Sequence, residues 1–146
     1  MKYEIPISLV EIEKNNYHLF VSIIFNDEET GDIIIDTGAS KTIFDTNRLK
    51  KYSKIIEHSE EIRSSGINAN LTDTQLVTVN KIQIGDFSIK NFKAVLLNLD
   101  HINSLYADIN NKKIWGLLGG DFLNKYKAKI DYEKKLLTLK VKNKKP

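Results

Sequence analysis

The 146-residue chain contains no cysteine. A disulfide framework, a thiolate zinc site and a cysteine nucleophile are therefore excluded. Proline occurs only at Pro6 and Pro146, so no proline-rich linker divides the chain. No apolar run approaches the ~18 residues of a membrane-spanning helix, and Met1-Lys2-Tyr3-Glu4-Ile5-Pro6 lacks the apolar core of a signal peptide. The expectation is a soluble, cytoplasmic chain with no membrane partner; a removed leader or a longer precursor would leave no trace here. His18, His58 and His101 are scattered without metal-ligand spacing, so neither a metal nor a cofactor is expected. Gly116-Leu117-Leu118-Gly119-Gly120 lacks the lysine of a phosphate-binding loop, and there is no Gly-x-Ser-x-Gly elbow for a serine nucleophile.

What is present fits one small domain over residues 1–146. With 41% apolar and 28% charged positions the chain can bury one good core but not two. The net charge of +3 hides an asymmetry, because residues 125–146 hold nine lysines against Asp131 and Glu133. A basic tail can mean nucleic acid. However, Leu137, Leu139 and Val141 alternate with Thr138, Lys140 and Lys142, a pattern that puts lysines on the solvent face of a strand. Without arginine clusters or interleaved aromatics, no nucleic-acid partner is expected.

The patterning is mostly β. Ile5, Ile7 and Leu9 alternate, and Tyr17, Leu19, Val21, Ile23 and Phe25 alternate more strongly, with a hairpin turn expected over Asn26 to Gly31. Val79 to Ile84 and Phe87 to Leu97 are joined at Gly85-Asp86, and Ala128 to Tyr132 and Leu136 to Val141 at Glu133-Lys134-Lys135. Helical pattern is confined to Thr46–Tyr52, Ile102–Ile109 and Asp121–Tyr126.

The most informative segment is Asp36-Thr37-Gly38-Ala39-Ser40, entered from Ile33-Ile34-Ile35. Asp and Gly are turn formers, so the tripeptide could be only a tight corner. Yet the isoleucine run reads as a strand covered on both faces, and an ionised carboxylate at its end is costly unless hydrogen-bonded or sharing a proton. Far downstream, Ile114-Trp115-Gly116-Leu117-Leu118-Gly119 is a second apolar strand ending in glycine. With these two elements in this order, the chain resembles the retropepsin-like aspartic peptidases. That resemblance implies an all-β fold, a small closed, orthogonal β-barrel with one or two short helices and a flap hairpin. It also implies that Leu117, Leu118 and Gly119 pack beside the Asp36 loop.

The implied activity is an aspartic endopeptidase acting on peptide or protein substrates. Two carboxylates about 3 Å apart cannot both ionise, so they share a proton and form a matched acid and base. The chain has a single Asp-Thr-Gly. The expected second carboxylate is Asp36 of another copy in a homodimer, since a two-fold axis beside one Asp36 brings its copy alongside. Asp121 is the in-chain rival, but its place at the start of a helical stretch suits a cap or first-turn anion. By the same resemblance Thr37 braces the paired loops, Gly38 permits their turn, Ala39 lines the floor, and Ser40 stands where retroviral members often carry a second acid. Ser65, Gly66 and Ile67 are the expected flap. The terminal strand Leu136 to Val141 is a candidate for the dimer sheet. Trp115 is expected in the core or the cleft wall. The rival reading is a non-catalytic peptide-binding or dimerisation module of the same fold.

Overall fold

The computed structural model describes residues 1–58, 74–110 and 113–142. The β-strands are β1 (Lys2–Pro6), β2 (Ser8–Glu13), β3 (Asn16–Phe25), β4 (Glu29–Ile35), β5 (Ile43–Asp45), β6 (Ser53–His58), β7 (Gln75–Ile84), β8 (Phe87–Leu97), β9 (Ile114–Leu118), β10 (Lys129–Asp131) and β11 (Leu136–Lys140). The helices are α1 (Thr46–Leu49), which runs into a 3-10 turn at Lys50–Tyr52, α2 (Asp100–Asn110) and α3 (Gly120–Lys125). All three helical pieces form where the pattern placed them, one more than the resemblance implied. Ser65, Gly66 and Ile67 lie outside the described residues; the strands on either side, β6 and β7, pair antiparallel.

Eight strands form one sheet in the order β2-β3-β4-β9-β5-β8-β7-β6. A further pairing of β3 with β7, Ile24 opposite Gln83 and Phe25 opposite Ile82, closes the inner six into a barrel and leaves β2 and β6 as edges. The fold is thus the small closed β-barrel expected. Inside it pack Ile23, Phe25, Ile33, Phe44, Val79, Ile82, Leu118 and Phe122, all at most 2% exposed. Alternation explains the barrel-facing set of β3, Leu19, Val21, Ile23 and Phe25, and explains β7 in two stretches, Val77 and Val79 and then Ile82 and Ile84, with the phase shifted by one residue between them. It does not explain β4, whose Ile33, Ile34 and Ile35 are all buried because one face meets the barrel interior and the other meets Phe20 and Ile114. β9 runs parallel to β4, with Ile34 opposite Leu117 and Ile35 opposite Leu118. Asn103 of α2 holds the start of β9, its Nδ2 donating to Ile114 O at 3.0 Å and its Oδ1 accepting from Ile114 N–H.

Two expectations are corrected. The β3–β4 turn does not extend to Gly31. Asn26 (φ 53°) and Asp27 (φ 57°) take left-handed conformations, and Glu28 N–H closes the turn on Phe25 O at 3.0 Å. Asn and Asp tolerate that region, so the turn needs no glycine. Gly31 instead lies within β4 under the ring of Trp115, where a Cβ would meet ring carbons at 2.4 Å. Trp115 is half-buried there, stacked on Phe25 with ring centroids 5.7 Å apart and covered by the Arg48 guanidinium at 5.3 Å. The second correction concerns β11. It is the middle strand of a separate sheet, β1-β11-β10, so its edges are taken by β1 and β10 of the same chain. Within one chain β11 is thus not an edge, and a second copy would extend this sheet at β1 or β10. Its patterning holds, with Leu137 and Leu139 buried and Lys140 exposed.

Candidate active site

The Asp36 loop is an extension of the β4–β9 pairing. Past the end of β4, Asp36 N–H donates to Leu118 O at 2.9 Å, which continues the ladder by one residue and fixes the backbone under the carboxylate. The chain then turns. Gly38 N–H donates to Asp36 Oδ1 at 3.0 Å, and Ala39 N–H donates to Asp36 O at 3.2 Å. The side-chain bond to the backbone two residues on is the turn-forming habit of aspartate. Both readings of the tripeptide are therefore realised in one conformation: a tight corner, and a carboxylate held by a backbone donor at the end of a buried strand. Asp36 is half-buried, Ala39 is half-buried, and Thr37, Gly38 and Ser40 are exposed. Among the described residues the Thr37 hydroxyl has no hydrogen-bond partner.

Leu117, Leu118 and Gly119 lie beside this loop. Leu117 pairs with Ile34 on one side and Ile43 on the other, and Leu118 is fully buried. Gly119 is required by close approach. A Cβ there would stand 2.6 Å from Lys41 O and 2.9 Å from Ala39 O, distances real Cβ atoms do not reach. The next residue completes the contact, Gly120 N–H donating to Ala39 O at 2.7 Å.

A second brace lies beneath the loop and involves a residue that the sequence pattern did not single out. Thr42 is fully buried. Its Oγ1 accepts from Gly119 N–H at 3.1 Å and donates to Asp121 Oδ1 at 2.8 Å, while its N–H donates to Asp121 Oδ2 at 3.1 Å. Phe122 N–H adds a bond to Asp121 Oδ1 at 2.8 Å. Asp121 is therefore the first-turn anion expected of it in α3, and also a clamp across the two loops. Three donors on one carboxylate leave it engaged in structure. The only sequence signal for Thr42 was a polar residue at the head of the apolar Ile43-Phe44 strand, and its partner is 79 positions away.

Asp45 repeats this logic on the other side of β5. It is 2% exposed, caps α1 through Asn47 N–H and accepts from Leu99 N–H at 3.2 Å, tying α1 to the start of α2. At the far end of β4 a charged cluster holds the barrel rim. Tyr52 Oη lies 2.5 Å from Glu29 Oε1 and 3.1 Å from Glu28 Oε2, and Lys51 Nζ lies 2.6 Å from Glu29 Oε1. Bonds from Lys51 and then Tyr52 lower the Glu29 pKa, and Glu29 in turn raises that of Lys51. The bond to Glu29, then burial, push the Tyr52 phenol up to about 12. Tyr52 is buried at 3% exposure, with its hydroxyl bonded to exposed Glu28 and half-buried Glu29.

No group of three or more His, Asp or Glu among the described residues is arranged to hold a metal ion, and no helix among them is long and apolar enough to cross a membrane.

Among curated proteins none matches the sequence. The crystal structure of the retroviral protease-like domain of Ddi1 from Leishmania major is similar, with 15% identity and a TM-score of 0.53 over 84% of this chain and 87% of that one. A retropepsin-like aspartic protease from Rickettsia conorii has 20% identity and a TM-score of 0.49 over 95% of this chain and 90% of that one. A family model described as aspartyl protease matches residues 21–122. That span takes in the strand leading to Asp36, the loop that carries it and the β9 segment that backs it, and the chain belongs to this aspartyl protease family.

Proposed function

We propose that the chain is an aspartic endopeptidase whose active site forms between two copies, each supplying Asp36. The observation that carries this reading is the presentation of Asp36. Its backbone is locked by Leu118, its carboxylate is held by Gly38 N–H, and the residues around it, Thr37, Gly38 and Ser40, are exposed in the isolated chain. The acid nearest to the second motif, Asp121, is engaged by Thr42 and Phe122. A two-fold axis beside the Asp36 loop pairs like with like, and the free Thr37 hydroxyl is then available to the partner loop.

In such a pair the two carboxylates share one proton. The ionised member takes a proton from a water held between them as its oxygen attacks the scissile carbonyl carbon. The protonated member gives its proton to the carbonyl oxygen, so the tetrahedral intermediate forms without an acyl-enzyme. Collapse of that intermediate breaks the C–N bond: the amine leaves with the proton that the first carboxylate took from water, and a hydroxyl of the gem-diol returns its proton to the second carboxylate as the carbonyl re-forms, which restores the shared proton. Substrate binds as an extended strand, with main-chain hydrogen bonds supplying affinity and alternate side chains selectivity.

The test is incubation of the purified chain with an unbiased peptide library from acidic to neutral pH. Wild type is expected to cleave internal peptide bonds and Asp36→Asn to cleave none. Equal cleavage by both overturns the assignment, and no cleavage by wild type favours the non-catalytic binding module.

A further inference from the structure

Two cavities flank α3, and the first of them reaches Lys41, just past the Asp36 loop. The first, of about 460 Å³, is ringed by Lys41, Lys90, Lys93 and Lys125 over Ile89 and Phe92. The second, of about 840 Å³, is ringed by Lys2, Lys127, Lys140 and Lys142 over Met1 and Val141. Lys125 and Tyr126 line both, so the two adjoin along the C-terminal end of α3. All eight lysines are exposed. Of these eight, only Lys2 has a carboxylate within ion-pairing distance among the described residues, Glu4 at 3.8 Å. The one carboxylate in the first cavity, Asp121, is already taken by Thr42 and Phe122. A solvated strand face accounts for Lys140 and Lys142, but not for the convergence of lysines from the loop after Ser40, β8, α3 and the chain ends on one concavity.

We propose that this concavity is a cationic groove that binds an acidic segment of polypeptide. Like charge keeps a second copy's same face away from it, so its occupant must carry the opposite charge. The walls decide which anion. Apolar side chains lie between the lysines, and long lysine stems add apolar surface below each ammonium, which suits a peptide that mixes acidic and apolar side chains. A nucleic acid would be met by arginine forks and exposed stacking rings, whereas the groove has no arginine, Tyr126 is only 8% exposed and Phe92 is half-buried. A membrane surface would be met by a flat or convex basic face. The groove starts at Lys41, one residue after Ser40, and Lys41 O packs against Gly119 beneath the Asp36 loop. Its role as a docking site for an acidic stretch of the substrate therefore rests on the peptidase reading above.

Fluorescence anisotropy of a labelled oligoglutamate peptide with the Asp36→Asn chain tests the groove without catalysis. The expected result is binding that weakens with added salt and falls roughly tenfold or more in Lys90→Glu/Lys93→Glu/Lys125→Glu. The control Lys14→Glu/Lys54→Glu/Lys134→Glu, with the same change in net charge, keeps most of the affinity. Lys90→Gln/Lys93→Gln/Lys125→Gln, which adds no new charge, loses affinity in the same direction by less. Absent binding, equal loss in the control, or tighter binding of a charge-matched single-stranded oligonucleotide or of phosphatidylserine/phosphatidylcholine vesicles at the same salt overturns the proposal. Oligoglutamate binding in a chain that cleaves no peptide keeps the groove and removes the peptidase. Cleavage without oligoglutamate binding does the reverse.

Discussion

Thr42 and Asp121 stand 79 positions apart and hold each other by two hydrogen bonds, Thr42 Oγ1 to Asp121 Oδ1 at 2.8 Å and Thr42 N–H to Asp121 Oδ2 at 3.1 Å. Thr42 also accepts from Gly119 N–H, so one buried hydroxyl joins the loop after Asp36 to the start of α3. Replacing it with Val keeps the volume, strands the Gly119 donor and removes one of three donors from the Asp121 carboxylate. Thr42→Val is expected to destabilise the fold by about 1–3 kcal/mol. Denaturant unfolding measures this. A change below a few tenths of a kcal/mol would mean that the clamp does not hold the loop.

Gly119→Ala tests the close approach from the other side. The added methyl falls on Lys41 O at 2.6 Å, and a backbone carbonyl that also belongs to the loop cannot give way cheaply. A loss of about 1–3 kcal/mol is expected, as in other overpacked sites, with peptide cleavage lowered further because the loop is displaced. Unfolding and cleavage are measured on one preparation. Unchanged values in both would contradict the described contact.

Much of this site was legible in the sequence because its two halves are local patterns. An apolar run ending in Asp-Thr-Gly and an apolar run ending in Gly119 each announce a buried strand and a tight corner. What joins them was not legible. Asp121 was legible only as a first-turn anion and Thr42 only as a polar residue ahead of an apolar strand, and their pairing is decided only when β5 and α3 are brought together. The same limit explains Gly31, read as part of a turn because glycine favours turns, when Trp115 from β9 lies across it. It also explains β11. Alternation revealed which of its faces is buried but not that β1 and β10 occupy both of its edges.

The Tyr52 cluster gives a pH dependence away from the proposed chemistry. The folded-state pKa of Tyr52 is raised from 10.0 to about 12, so the folded state holds the phenolic proton more tightly than the unfolded one. Its contribution is present below the unfolded value and is lost as pH rises from about 10 to about 12. Glu29 has the opposite sign. Its pKa is lowered, so its contribution is lost as pH falls through the folded-state value. Denaturant midpoints measured across the alkaline range should fall less steeply for Tyr52→Phe than for wild type. Parallel curves would show that Tyr52 does not titrate with folding.

Thr37 is exposed and without a partner among the described residues, as a residue reserved for contact between copies would be. Thr37→Val is therefore expected to leave the unfolding of the isolated chain within ~0.5 kcal/mol of wild type while weakening self-association. Sedimentation at several concentrations reads the second effect. Unchanged association together with lowered stability would place the hydroxyl in the monomer fold instead.

The pairing of two Asp36 carboxylates is tested most directly by mixing. Wild-type chains are replaced by Asp36→Asn chains at constant total concentration, above the dimer dissociation constant and after time for exchange, and peptide cleavage is measured against the mixed fraction. If each site needs Asp36 from both copies, an equal mixture retains about a quarter of the wild-type rate, because random pairing leaves only that share of dimers with two aspartates. A rate of about half, falling linearly with the fraction replaced, would mean that each chain carries a whole active site and would contradict the shared pair.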